Sequence, residues 1–129
     1  MIVDSSALIS LLLKEAGWER VAHALAADEQ VAIGAPTLTE TAIVLQAKGA
    51  PASLLPALLH RVGITVEPFT HRHALLAADA CATYGRGRHA ASLNYGDCMT
   101  YAVARMARAP LLFVGDDFSK TDLEPVLAG

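Results

Sequence analysis

Residues 111–122, LLFVGDDFSKTD, close a short apolar run with two adjacent carboxylates. Leu111, Leu112, Phe113 and Val114 read as a buried strand. A turn accounts for one acid after it, but Asp116 and Asp117 together ask what else lies nearby. The same short apolar type recurs at 1–4 (MIVD), 31–34 (VAIG) and 65–69 (TVEPF). One or two helical stretches separate each run from the next: 5–13 and 17–27, then 38–49 and 51–63, then 71–85 and 94–108. Strands of four or five residues joined through helices require crossover connections. They predict a parallel sheet of four to five strands with helices on both faces, a three-layer α/β fold. In such sheets ligands sit at the carboxyl ends of the strands.

At 129 residues the chain is read as one domain, 1–129, with a core of its own. Its residues are 53% hydrophobic and its mean hydropathy is +0.38, a surplus that points to a partner or self-association surface. No apolar run approaches the ~18 residues of a membrane span, and Asp4 interrupts any signal-peptide core, so a cytoplasmic protein is expected. Cys81 and Cys98 fall in helical patterns without zinc spacing and read as small core residues in a reducing compartment. The net charge of −3 argues against a general nucleic-acid binder. Committing four acids to a cation removes that objection, because the remainder is then slightly positive.

The strand-end rule selects four acids. Asp4 ends the first strand and Asp116 follows the last, while Glu40 and Asp97 lie in the first turns of helices. Each has a structural explanation. Asp4 can cap the helix after it. Residues 37–40 (TLTE) and 94–97 (NYGD) have the form of capping boxes, and 114–117 (VGDD) is an ordinary turn. None of these explains four acids at one edge of one sheet. Two carboxylates about 4 Å apart repel by ~4 kcal/mol at an effective dielectric of 20. A cluster would raise its own pKa values or splay unless a cation sat within it. Oxygen-only ligation suits Mg²⁺ or Mn²⁺, and such an ion activates water and neutralises a phosphate under attack. Metal-dependent phosphodiester hydrolysis is the reaction these residues predict.

The set MIVDSSAL, TLTE, LNYGDC and LLFVGDDFSKTD, in this order, resembles the PIN domain, and more narrowly the VapC toxins of bacterial VapBC toxin–antitoxin pairs. The resemblance spans essentially the whole chain. It implies a PIN-like fold and a Mg²⁺- or Mn²⁺-dependent endoribonuclease acting on tRNA or rRNA. It further implies neutralisation by a VapB-type antitoxin, and a homodimer that forms a heterotetramer or larger assembly with it. By position, Asp4, Asp97 and Asp116 match the metal-binding acids, and Glu40 completes the catalytic set. Many PIN domains carry Thr or Ser where this chain has Gly115, which makes Ser5 or Ser6 the nearest replacement hydroxyl. Ser6 and Asp117 are accessory candidates, and Asp117 either assists a second metal or holds the turn.

Tyr84 to Asn94, YGRGRHAASLN, is irregular, and Arg86, Arg88 and His89 gather positive charge beside the helix of Asp97. They either position an RNA backbone or an antitoxin, or pair with surface acids in a solvated loop. His71 and His73 are too closely spaced at a helix start to converge on a metal. Other readings fit the residues less well. A phospho-receiver domain needs an Asp at the end of the middle strand, where TVEPFT offers only Glu67. A non-catalytic PIN scaffold usually lacks one of the acids, and all four are present here.

Overall fold

A computed structural model describes residues 1–127. β1 (Ile2–Val3) leads through α1 (Ser5–Leu12) and α2 (Trp18–Ala27) to β2 (Ala32–Gly34). α3 (Ala35–Ala47) and α4 (Leu54–Val62) lead on to β3 (Thr65–Glu67). α5 (His71–Tyr84) and α6 (Tyr95–Ala107) return to β4 (Leu111–Leu112). The four strands pair in parallel in the order β3-β2-β1-β4, with Ile2 opposite both Ala32 and Leu111.

Alternation along such short strands feeds two cores. Ile2 and Leu111 pack with Ala77 and Ala80 of α5 and with Ala102 and Val103 of α6. Val3, Ile33 and Leu112 face the other way, against Leu8, Val21, Leu25, Leu45, Leu55 and Leu58 of the first four helices. This is the three-layer α/β arrangement expected of the sequence, with four strands among the described residues. β3 is the exposed edge.

Several boundaries differ from the sequence reading. Pro36 does not close a strand but lies in the first turn of α3, whose N-cap is Gly34. α4 begins at Leu54 rather than Pro51, after a turn closed by Leu54 N–H to Pro51 O (3.1 Å). Pro56 then falls in the first helical turn, where an N–H would have had no intrahelical acceptor. Cys98 is buried, but Cys81 is exposed and is no core residue.

The topology also selects a place for a site. From β1 the chain steps to β2 and β3 on one side, then crosses to β4 on the other. The crevice beside the end of β1 is therefore the switch point of the sheet, where an open α/β fold leaves room for a ligand.

Candidate active site

Asp4 follows β1 directly, and its backbone N–H donates to Leu112 O (2.9 Å), which ties the position to β4. Its side chain is 5% exposed. Oδ2 caps α1 by accepting from Ser6 N–H (3.1 Å), and Oδ1 accepts from the Thr100 hydroxyl (3.0 Å). The Thr37 and Thr100 hydroxyl oxygens stand 2.8 Å apart, and both residues are almost fully buried. An ionised carboxylate only accepts, so Thr100 gives its proton to Asp4 and Thr37 must donate to Thr100. A buried chain of two hydroxyls from α3 and α6 thus fixes the carboxylate at the start of α1. The sequence marked Thr37 only as a helix cap and gave Thr100 no role, although Thr100 lies three residues beyond Asp97 and shares its helix face.

Glu40 is not part of a capping box. Thr37 lies inside α3, so Glu40 stands in the second turn. The Ser5 hydroxyl donates to its Oε1 (3.0 Å). Its other oxygen occupies the space a side chain at residue 96 would fill, since a Cβ on Gly96 would lie 2.5 Å from Oε2. Glu40 is therefore seated against the first turn of α6. Asp97, in that same turn, does form the expected capping box: Asn94 N–H donates to its Oδ2 (3.0 Å), and its own N–H donates to Asn94 Oδ1 (2.9 Å). Partial burial pushes the Asp97 carboxyl up to about 6, against the pull of the Asn94 amide. The charges of Asp117, Asp4 and Glu40 push in the same direction as burial.

The turn after β4 decides which acid joins this group. Gly115 has φ +98°, a conformation that a β-branched residue adopts only with strain. Val114 N–H donates to the Ser6 hydroxyl (3.0 Å), and Phe118 is buried edge-on to Phe113. With the turn so held, Asp117 acts electrostatically on Asp97. Asp116 instead lines a separate hollow with Gly17, Arg20 and Ser119, and its carbonyl accepts from the Ser119 hydroxyl (2.7 Å). Asp97 thus feels the charges of Asp117, Asp4 and Glu40, while the expected final acid, Asp116, faces the hollow beside Arg20. Of the candidate replacement hydroxyls, Ser5 holds Glu40 and Ser6 holds the turn.

The basic segment divides in the same way. Arg86 N–H donates to Leu93 O (3.1 Å) and Leu93 N–H to Tyr84 O (2.9 Å), so the base of the loop is pinned. His89 Nδ1 accepts from Ala91 N–H (2.9 Å) and its ring meets the edge of Tyr84, a local structural role. Arg86 and Arg88 are exposed, and among the described residues neither pairs with an acid. His73 belongs to the start of α5, where its Nδ1 accepts from Thr70 N–H (2.9 Å) and its ring stacks on Phe69. Asp122 starts no helix; it accepts from the Tyr101 hydroxyl (2.6 Å).

Among the described residues, no three acids, histidines or cysteines stand as a ready-made ligand set. The donor chemistry nonetheless fits a hard divalent cation. It is oxygen only, and burial together with the charges of Asp117, Asp4 and Glu40 lifts Asp97.

Comparison with known proteins bears on the family and the fold. Residues 1–124 match the family described as PIN domain. Ribonuclease VapC36 of Mycobacterium tuberculosis is 45% identical over 127 residues, covering 96% of this chain and 91% of the relative. Ribonuclease VapC30 of the same species is 40% identical over 128 residues, covering 98% of each. Among solved structures, M. tuberculosis VapC20, described as a sarcin-ricin loop cleaving toxin, superposes with a TM-score of 0.75. At 19% identity, with 96% of this chain and 98% of that one covered, it supports the fold alone.

Proposed function

The chain belongs to the PIN-domain family, and within it to the VapC group, and we propose that it is a Mg²⁺- or Mn²⁺-dependent endoribonuclease, the toxin of a toxin–antitoxin pair. The observation that carries this reading is the mutual electrostatic influence of acids from the end of β1, α3, α6 and the β4 turn at the switch point. Its relatives at 40–45% identity are named ribonucleases.

In this reading Asp4, Asp97 and Asp117 hold the cation. When bound, Mg²⁺ or Mn²⁺ neutralises the phosphate under attack and acidifies water. Asp4, held on both oxygens and buried, is the fixed ligand, while the exposed turn bearing Asp117 adjusts. Glu40, steadied by Ser5 and Gly96, orients the attacking water and takes its proton. In-line attack on phosphorus leaves a 5′-phosphate and a 3′-hydroxyl. Asp116 was the sequence expectation for the final acid; the charge acting on Asp97 favours Asp117. A cytoplasmic location, a homodimer and neutralisation by a VapB-type antitoxin complete the proposal, and they rest on VapC membership.

The test is cleavage of total tRNA and rRNA by the purified, antitoxin-free chain in Mg²⁺, Mn²⁺ or EDTA. Asp4→Asn, Asp116→Asn and Asp117→Asn are run alongside. We expect cutting that EDTA and Asp4→Asn abolish, that Asp117→Asn lowers at least a hundredfold, and that Asp116→Asn changes only a few-fold. Metal-independent cutting, or none by a folded protein, would overturn the reading. Loss with Asp116→Asn and not with Asp117→Asn would restore the first assignment.

A further inference from the structure

We propose that Tyr95 and Arg86 form a nucleotide subsite beside the acidic pocket, in which the base flanking the cleaved bond stacks on Tyr95 and its phosphate meets Arg86. The inference rests on the ribonuclease reading and adds to it where the strand lies. Tyr95 is 82% exposed, an unusual position for a large ring with an apolar body. It is the first residue of α6, next to the glycine on which Glu40 rests and two residues before Asp97. It also lines a hollow of about 600 Å³ between α5 and α6, together with Phe69, Ala77, Leu93 and Met99 and with Arg86 and Asn94 as polar members. The ring thus borders an apolar recess wide enough for a base, in the same helical turn that carries Asp97.

Chemistry favours single-stranded RNA as the occupant. Unstacked bases are recognised by stacking on aromatic rings, and the adjoining phosphate by arginine. Arg86 has no acidic partner among the described residues, and the bridge between Gly85 and Leu93 presets its backbone. Arg88 has the same charge but does not line this hollow. His89 is taken up by Ala91 and Tyr84. Of the three basic candidates, only Arg86 is placed for the strand.

The probe is a fluorescein-labelled mixed-sequence RNA of roughly a dozen nucleotides, within the span of single-strand sites. Binding is read by anisotropy in Ca²⁺ over a range of salt, and total-tRNA cleavage is followed separately in Mg²⁺. Tyr95→Ala should weaken binding on the order of tenfold without changing its salt dependence, and Tyr95→Trp should restore it. Arg86→Ala should weaken binding and lower the salt slope by about 0.7, the value for one single-strand phosphate contact. Arg88→Ala should do less than Arg86→Ala. Equal binding by wild type, Tyr95→Ala and Arg86→Ala, with cleavage intact, would overturn the subsite and leave the ribonuclease reading standing. Loss of self-association in Tyr95→Ala with RNA binding unchanged would make this face a protein interface and overturn the subsite too. A wild type that neither binds nor cuts RNA would overturn both.

Discussion

At the residue scale, Asp4 carries the tightest requirement, because a nearly buried polar group is costly unless hydrogen bonds replace its water. Thr100 supplies one of these bonds and Thr37 orients Thr100. Thr100→Val keeps the shape and removes the donor, leaving Asp4 Oδ1 and the Thr37 hydroxyl both short of a partner. A bond to a charged group is worth about 1.5–3 kcal/mol, so the midpoint of urea unfolding should fall accordingly. Mg²⁺ affinity and RNA cleavage should each drop about tenfold, on the scale of 1.4 kcal/mol per decade. Thr100→Ser should recover all three; recovery of stability alone would make Thr100 a purely structural residue. Thr100 was silent in the sequence, and Thr37 was read only as a cap, because a hydroxyl on a helix has no periodicity of its own. Asp4 and Asp97 were legible, since strand ends and caps have local signatures, and both do cap. The proposed choice of Asp117 over Asp116 had no local signal, because adjacent acids in a turn look alike until Phe118 is known to be buried.

At the scale of elements, the site depends on how closely α3 and the start of α6 approach. The capping-box pattern TLTE suggested a helix starting near Thr37, but Pro36 is well suited to a first turn and moved the start back to Ala35. That shift carries Glu40 away from the helix end and onto Gly96. Glycine at 96 is a matter of space, whereas at 115 it is a matter of φ. Gly96→Ala separates function from stability. The new methyl meets only the end of a flexible Glu40 side chain, so the fold can yield cheaply, and alanine favours a helix by up to about 1 kcal/mol. The melting temperature should hold or rise slightly while RNA cleavage falls at least tenfold, because Glu40 loses its seat. A drop in stability equal to that of a core substitution would mean instead that α3 and α6 had separated.

At the scale of the molecule, the layered fold, legible from four short apolar runs, gathers acids that repel one another, and this sets how stability depends on pH and cation. Asp97 binds its proton more tightly in the folded chain, near pH 6, than in the unfolded chain, near the ordinary aspartate value of 3.8. The folded state therefore takes up protons, and this group's contribution to stability is complete below about pH 4 and lost as pH rises through 6. Other carboxylates titrate over the same range, so the contribution is the difference between wild type and Asp97→Asn, which keeps the capping acceptor. In EDTA the wild type should lose stability relative to Asp97→Asn between pH 4 and 7. A divalent cation binds the ionised carboxyl in competition with the proton and stabilises the folded chain by mass action, by about 2.7 kcal/mol at a hundred times its Kd. Mg²⁺ should accordingly raise the melting temperature more at pH 7.5 than at pH 5, and do so far less in Asp97→Asn. The same Mg²⁺ response at both pH values, or in both proteins, would place the cation away from Asp97. The acids would then be bound to one another's field by the fold alone, with no metal to account for their convergence.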